Sequence, residues 1–219
     1  MQVFYLHGFA SSPNSSKARF FTGRLEERAV KVTVPDFNQP DFSALTVSRM
    51  LQQLEKRIAA TPQGPIVLIG SSLGGFLAVE AAARQVNEAR HPISHVILLA
   101  PAVELEWDRW TEIGAGGGID AWRKNGEIEV FHYADGRPRW LKFGFYEDAQ
   151  RYHASARCLL QPTLIFQGRR DESVSPASVE RFARAQPNAI LHLLEDGHQL
   201  QESLEFIWRE SARCLGLGD

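Results

Sequence analysis

Short apolar runs alternate along this chain with segments whose apolar residues recur every three to four positions. The runs Val3–Leu6, Val30–Val34, Ile66–Ile69, Val96–Ala100, Thr163–Phe166 and Ile190–Leu194 are rich in β-branched residues. Several are apolar at consecutive positions, as strands covered on both faces must be. Between them, Val47, Leu51, Leu54 and Ile58 fall on one helical face, and Val179, Phe182 and Ala183 on another after Pro176. Phe76 to Ala83 reads as an alanine-rich helix. From Leu200 to about Cys214, Leu204, Ile207 and Trp208 keep helical spacing. This alternation predicts an α/β protein, with a mostly parallel sheet of about six strands and helices on both faces.

Residues 104–160 break the rhythm. They pass through the glycine run Gly114–Gly118 and a hairpin candidate, Glu129–Tyr133 and Arg139–Phe143 about Asp135-Gly136. Ten of the 22 aromatic residues lie here, which marks the segment as more than a connecting loop. It reads as a cap inserted above the sheet's C-terminal edge, with residues 1–103 and 161–219 forming the core. The cap aromatics either line a pocket or build a small core of their own, and the sequence leaves both open. Trp107 to Ile113 reads as helical or irregular, and the glycines as a hinge. No lysine follows them at phosphate-loop spacing.

Composition adds mainly exclusions. A formal charge of -2 gives no electrostatic case for nucleic acid or an anionic membrane as a partner. No apolar run approaches the ~18 residues of a membrane span. The opening Met1–Leu6 reads as a strand and not as an export signal. Cys158 and Cys214 form neither a metal spacing nor a disulfide framework, so a cytoplasmic setting without a metal is expected. Oligomeric state is left open.

The chemistry gathers after the strand candidates, where ligands bind in sheets of this kind. Gly70-Ser71-Ser72-Leu73-Gly74 follows Ile66–Ile69 and precedes a helix, the context of a nucleophile elbow. A serine in so sharp a turn needs small neighbours, which Gly70 and Gly74 supply, and it projects at a helix N-terminus. A serine hydroxyl becomes a nucleophile once a base takes its proton and an acid orients that base. Elbow folds carry them in the order serine, acid, histidine. Asp171 follows Thr163–Phe166, with Glu172 as second choice. Asp196 sits too near the histidine in sequence to come from a separate strand end.

His198 is the base candidate, on the loop after Ile190–Leu194. The other histidines read as surface or satisfied core residues, except His7. His7-Gly8-Phe9 follows the first strand, where Phe9 N–H would join Leu73 N–H in an oxyanion hole. His7 reads as a buttress of that loop, with a base role as the lesser alternative. Arg169-Arg170 reads as an exposed loop pair.

With these residues assembled, the chain resembles the small α/β-hydrolases of the YqiA esterase type and their prolyl-oligopeptidase-like relatives. The matching pieces are Tyr5–Pro13, Gly70–Gly75, Gly168–Val174 and Gly197-His198. The resemblance implies the α/β-hydrolase fold and cleavage of small acyl esters by Ser72, Asp171 and His198, without a cofactor. It is thin over residues 104–160, a segment longer and more aromatic than in the smallest members, so substrate choice does not carry over. A thioesterase and a small peptidase share the same acyl chemistry. A ligand receptor that keeps the fold with negligible turnover is the alternative of another class.

Overall fold

In the computed structural model, residues 1–84, 90–105, 107 and 118–218 are described. The strands of the main sheet are β1 (Gln2–Leu6), β2 (Lys31–Thr33), β3 (Ile66–Ser71), β4 (Ile93–Leu99), β7 (Thr163–Gly168) and β8 (Ala189–Leu194). They lie in the order β2-β1-β3-β4-β7-β8, every neighbouring pair parallel. The six expected strands are therefore all present. The second is shorter than its apolar run, with an exposed Lys31 at the edge of the sheet. β3 and β7 continue past the expected ends to Ser71 and Gly168, which carries their pairing up to the candidate site.

Alternation of side chains divides the apolar residues between two faces. Phe4, Leu6, Leu68 and Leu98 pack under α2 (Val47–Ala59) and α3 (Leu73–Arg84). Tyr5, Ile69, Ile97 and Leu99 face α1 (Ser16–Glu26) and the C-terminal helix. That division explains why the strand runs are apolar at successive positions. The stripe expected on Val47, Leu51, Leu54 and Ile58 is the buried face of α2.

α1 was not anticipated from the sequence. Ser15 caps it by accepting from Ala18 N–H, and Lys17, Phe21 and Leu25 point inward at helical spacing. The last helix begins at Leu204 and not near Leu200. Residues before it form a loop held by Asp196, whose carboxylate accepts from Gly197 and Ser203 amides at 2.7 and 3.0 Å.

Between β4 and β7 lie α4 (Gly118–Asn125), β5 (Glu127–His132), β6 (Arg137–Lys142) and α5 (Gly144–Ala149). β5 and β6 form the expected hairpin, starting two residues earlier on each strand. Its base is fixed by bonds from Trp122 Nε1 to the Leu141 carbonyl, 3.0 Å, and from Phe143 N–H to Gly126, 2.7 Å. Apart from Trp107 and Gly118, the stretch expected as helical or irregular and the glycine hinge lie outside the described residues. The described aromatics here mostly turn inward. Trp122 and Phe145 are fully buried in the cluster shared with α2 and α3. α6 (Pro176–Arg184) follows β7, and α7 (Leu204–Cys214) follows β8. Among described residues, no helix is long and apolar enough to cross a membrane.

Candidate active site

The strand order reverses between β1 and β3, so the chain leaves their C-terminal ends in opposite directions and opens a crevice there. Ser72 stands on the rim of that crevice, between the last residue of β3 and the first of α3. Its φ of 53° lies in the left-handed region, which an L-serine adopts only when its surroundings compel it. The surroundings are visible in the glycines. A Cβ on Gly70 would collide with the Gly74 carbonyl, and one on Gly74 with the Leu6 carbonyl. Gly75 lies under Pro101, where a Cβ would come within 2.7 Å of the ring. Strand, helix and first loop thus touch backbone to backbone, and the turn at Ser72 is the result. The Ser72 carbonyl accepts from Gly75 and Ala102 amides at 2.8 and 3.1 Å, which pins the turn.

The loop after β1 lies against the serine. A Cβ on Gly8 would stand 3.3 Å from Ser72 Cβ and 3.4 Å from the Ser71 carbonyl, so the side-chain-free residue lets the loop close over it. His7 braces this loop from within. Its Nδ1 bonds the Gly8 carbonyl at 2.9 Å, and its Nε2 accepts from Phe37 N–H at 3.1 Å. Accepting at Nε2 requires the neutral ring protonated at Nδ1. Burial pushes the His7 pKa down, opposed by the Gly8 bond and by Asp36. Both nitrogens are committed, so His7 suits a buttress and not a base.

The tip of the β5–β6 hairpin holds the same loop from outside. Ala134 N–H donates to the Ala10 carbonyl at 3.2 Å. Asn38 ties its side-chain amide to Ser11 at 2.7 Å and its carbonyl oxygen to His132 Nε2 at 3.2 Å. These braces run between segments far apart in sequence, and no local pattern announces them.

Asp171 and His198 arrive from the ends of β7 and β8. His198 Nδ1 and Asp171 Oδ2 are 2.9 Å apart, and the carboxylate is fully buried. Asp171 Oδ2 also accepts from Gln167 Nε2 at 2.9 Å, while Oδ1 accepts from Ser173 and Val174 amides at 2.8 Å each. Burial alone would raise the Asp171 pKa. The His198 partner and the Val174 and Gln167 bonds outweigh it and hold the carboxyl below its ordinary value. Asp196 serves its own loop, as described above. Arg169 and Arg170 pair with the exposed Glu195 and Glu202.

Ser72, His198, Gly8 and Phe9 line one cavity of about 480 Å³. With Nδ1 engaged by Asp171, Nε2 is the nitrogen His198 has left for a partner there. Tyr133 and Ala134 are the lining residues from the segment between β4 and β7. Lys17 was missed in the sequence. It is 6% exposed, lines the cavity, and donates from Nζ to the His198 carbonyl at 3.3 Å. The signal that could have found it is a lysine at helical spacing with Phe21 and Leu25 after the cap residue Ser15, which requires α1 to be recognised first. Among the described residues, no group of three or more His, Cys, Asp or Glu side chains is arranged to hold a metal ion.

The sheet order, the helices on both faces and the strand–turn–helix at Ser72 define an α/β-hydrolase fold. The chain belongs to the uncharacterised protein family UPF0227, which matches residues 2–210. No curated protein matches it in sequence. Among solved structures, it is similar to Est1E from Butyrivibrio proteoclasticus, seen with ferulic acid bound. The identity is 21% over 98% of this chain and 88% of that one, with a TM-score of 0.79. It is also similar to a monoacylglycerol lipase from Paleococcus ferrophilus, at 12% identity, 98% and 93% coverage and a TM-score of 0.74. An esterase domain of a Rhodothermus marinus protein aligns at 20% identity, 97% and 86% coverage and a TM-score of 0.68.

Proposed function

We propose that this protein is a serine hydrolase that cleaves carboxylic esters of small molecules through an acyl-serine intermediate. The observation that carries the reading is Ser72, strained at φ 53° on the rim of a cavity it shares with His198, itself bonded to Asp171 at 2.9 Å. Est1E, the lipase and the esterase domain are named for ester chemistry, and they lend the same fold to this reading.

In the proposed mechanism, Ser72 Oγ attacks the ester carbonyl carbon while His198 Nε2 takes its proton. Asp171 holds the imidazole by Nδ1 and offsets the charge it gains. The tetrahedral oxygen accepts from Leu73 N–H, at the head of α3, and from Phe9 N–H on the braced loop. The carbon–oxygen bond to the alcohol then breaks, and His198 returns the proton to the leaving oxygen. A water, deprotonated by His198, attacks the acyl carbon; the bond to Ser72 Oγ breaks, His198 returns the proton to Oγ, and the acid leaves.

Residues 104–160 act in this reading as a cap whose hairpin tip borders the cavity and steadies the Phe9 loop. With both described cysteines free, a reducing setting such as the cytoplasm suits the protein.

A fluorophosphonate probe tests the nucleophile. The native protein is expected to label and to hydrolyse short p-nitrophenyl esters, and Ser72→Ala to do neither. Labelling retained by the variant would refute the assignment. Tight ligand binding without turnover would favour the receptor reading instead.

A further inference from the structure

We infer that the cavity beside Ser72 carries a subsite for an anionic group, carboxylate or phosphate, centred on Lys17, so that the substrate is an ester bearing such a group. The inference rests on the hydrolase reading and narrows its substrate class.

Charge is the first argument. Among the described residues lining the cavity, Lys17 is the one lysine or arginine, and none is a carboxylate. A cation held at 6% exposure forgoes most of its hydration, which is tolerated where other groups or a ligand replace it. One replacement is the His198 carbonyl, 3.3 Å from Nζ. An ammonium has three donors, so this bond leaves capacity for a ligand oxygen. Asp171 and Asp196 favour its charge from the neighbouring loops, while burial works against it and brings the Lys17 pKa down to about 8.

Tyr5 is the second and independent argument. Tyr5 is among the residues lining the same cavity and is 1% exposed, yet its buried hydroxyl has no hydrogen-bond partner among the described residues. Ser71 lies beside it without meeting hydrogen-bond geometry. Buried hydroxyls are rarely left unpaired, and an unpaired one calls for an explanation such as a bound ion or water. Tyr5 and Lys17 lie on the α1 face of the sheet, so the orphan donor and the cation share one side of the cavity.

α1 adds the remaining donors. Its 11 residues begin at Ser16, and the Ser16 and Lys17 amides have no acceptor within the helix. The helix end favours negative charge, and Ser12 and Ser16 border the cavity beside it. A cavity of about 480 Å³ accommodates a small ester together with its charged group.

The alternative role for Lys17 is to fasten the His198 loop and nothing else. Two esters of matched length separate the roles: p-nitrophenyl pentanoate, which is neutral, and mono-p-nitrophenyl glutarate, which ends in a carboxylate. The kcat/KM for the glutarate divided by that for the pentanoate is expected to fall about tenfold or more in Lys17→Met and to recover in Lys17→Arg. Loop fastening would lower both esters in proportion, and an unchanged ratio would overturn the inference.

Direct binding of inorganic phosphate, measured by calorimetry, covers the phosphate source. The native protein is expected to bind it and Tyr5→Phe to bind it less tightly, with folding checked by circular dichroism. If neither phosphate binding nor carboxylate preference is found in the native protein, the subsite is refuted. If phosphate binds through Lys17 but neither ester is hydrolysed, the subsite stands and the hydrolase reading falls.

Discussion

Gly74→Ala tests whether the elbow is held by backbone contact, as the geometry requires. The added Cβ would overlap the Leu6 carbonyl oxygen and stand 2.5 Å from its carbon and 2.8 Å from the His7 carbonyl oxygen. Ordinary contacts of this kind lie near 3.5–4.0 Å, so α3 and the end of β1 must separate by at least about 1 Å. Neither contact is the far end of a flexible side chain. The cost therefore belongs at the upper end of the overpacking range, about 3 kcal/mol. For a domain of this size that is a fall in Tm of roughly 6–12 °C.

The same separation moves Phe9 and Leu73 apart, and a misplacement of about 1 Å at a reacting centre costs on the order of 100-fold in rate. Gly23→Ala is the matched control. Gly23 sits inside α1 on an exposed face, and a Cβ there meets nothing within 4 Å. Removing its backbone freedom should stabilise the protein by about 0.5–1 kcal/mol. Differential scanning calorimetry and p-nitrophenyl ester turnover give both readouts. A Gly74→Ala protein that melts and turns over like the native one would refute the argument, as would a Gly23→Ala protein that loses stability alongside it.

Asp171→Asn should lower kcat by roughly 10³- to 10⁴-fold, because the asparagine no longer fixes the His198 tautomer; native turnover in this variant, with loss in Glu172→Gln, would move the acid to Glu172. The pKa of Asp171 is depressed on folding, so its ionised form stabilises the protein above its ordinary value of 3.8, and this contribution is lost as pH falls through the depressed value. Acid unfolding of Asp171→Asn should accordingly depend less steeply on pH below about 4 than that of the native protein, and identical curves would contradict the sign. Glu80 on α3 is fully buried and accepts from His153 N–H at 3.0 Å and from Arg157 Nε and Nη2 at 3.2 and 3.0 Å. Since Arg157 remains 38% exposed, Glu80→Gln should cost about 1–3 kcal/mol in urea unfolding, less than breaking a fully buried pair; an unchanged midpoint would deny the network a structural role.

What was legible in the sequence divides along the range of the interactions involved. Ser72, its flanking glycines, Asp171 and His198 could be singled out from sequence because each belongs to or follows a mostly apolar run read as a strand, and each obeys a local rule of turn or chain order. The strand ends shifted where tertiary contact overrode the run: β3 and β7 lengthened to reach the site, and β2 shrank at the sheet edge. The role of His7 could be only half read. Its position after β1 suggested a buttress, but its tautomer depends on Phe37 N–H, 30 residues away, which no local pattern reports.

Lys17 shows the limit most clearly. A helix rule places it inward with Phe21 and Leu25, where a lysine is out of place unless something nearby answers its charge. What answers it are a carbonyl at residue 198 and carboxylates at 171 and 196, brought to α1 only by the folding of the whole sheet. An inward lysine is therefore a question the sequence can pose only once the helix around it is recognised. Its answer lies at the opposite end of the chain, and here it leads back to the cavity beside Ser72.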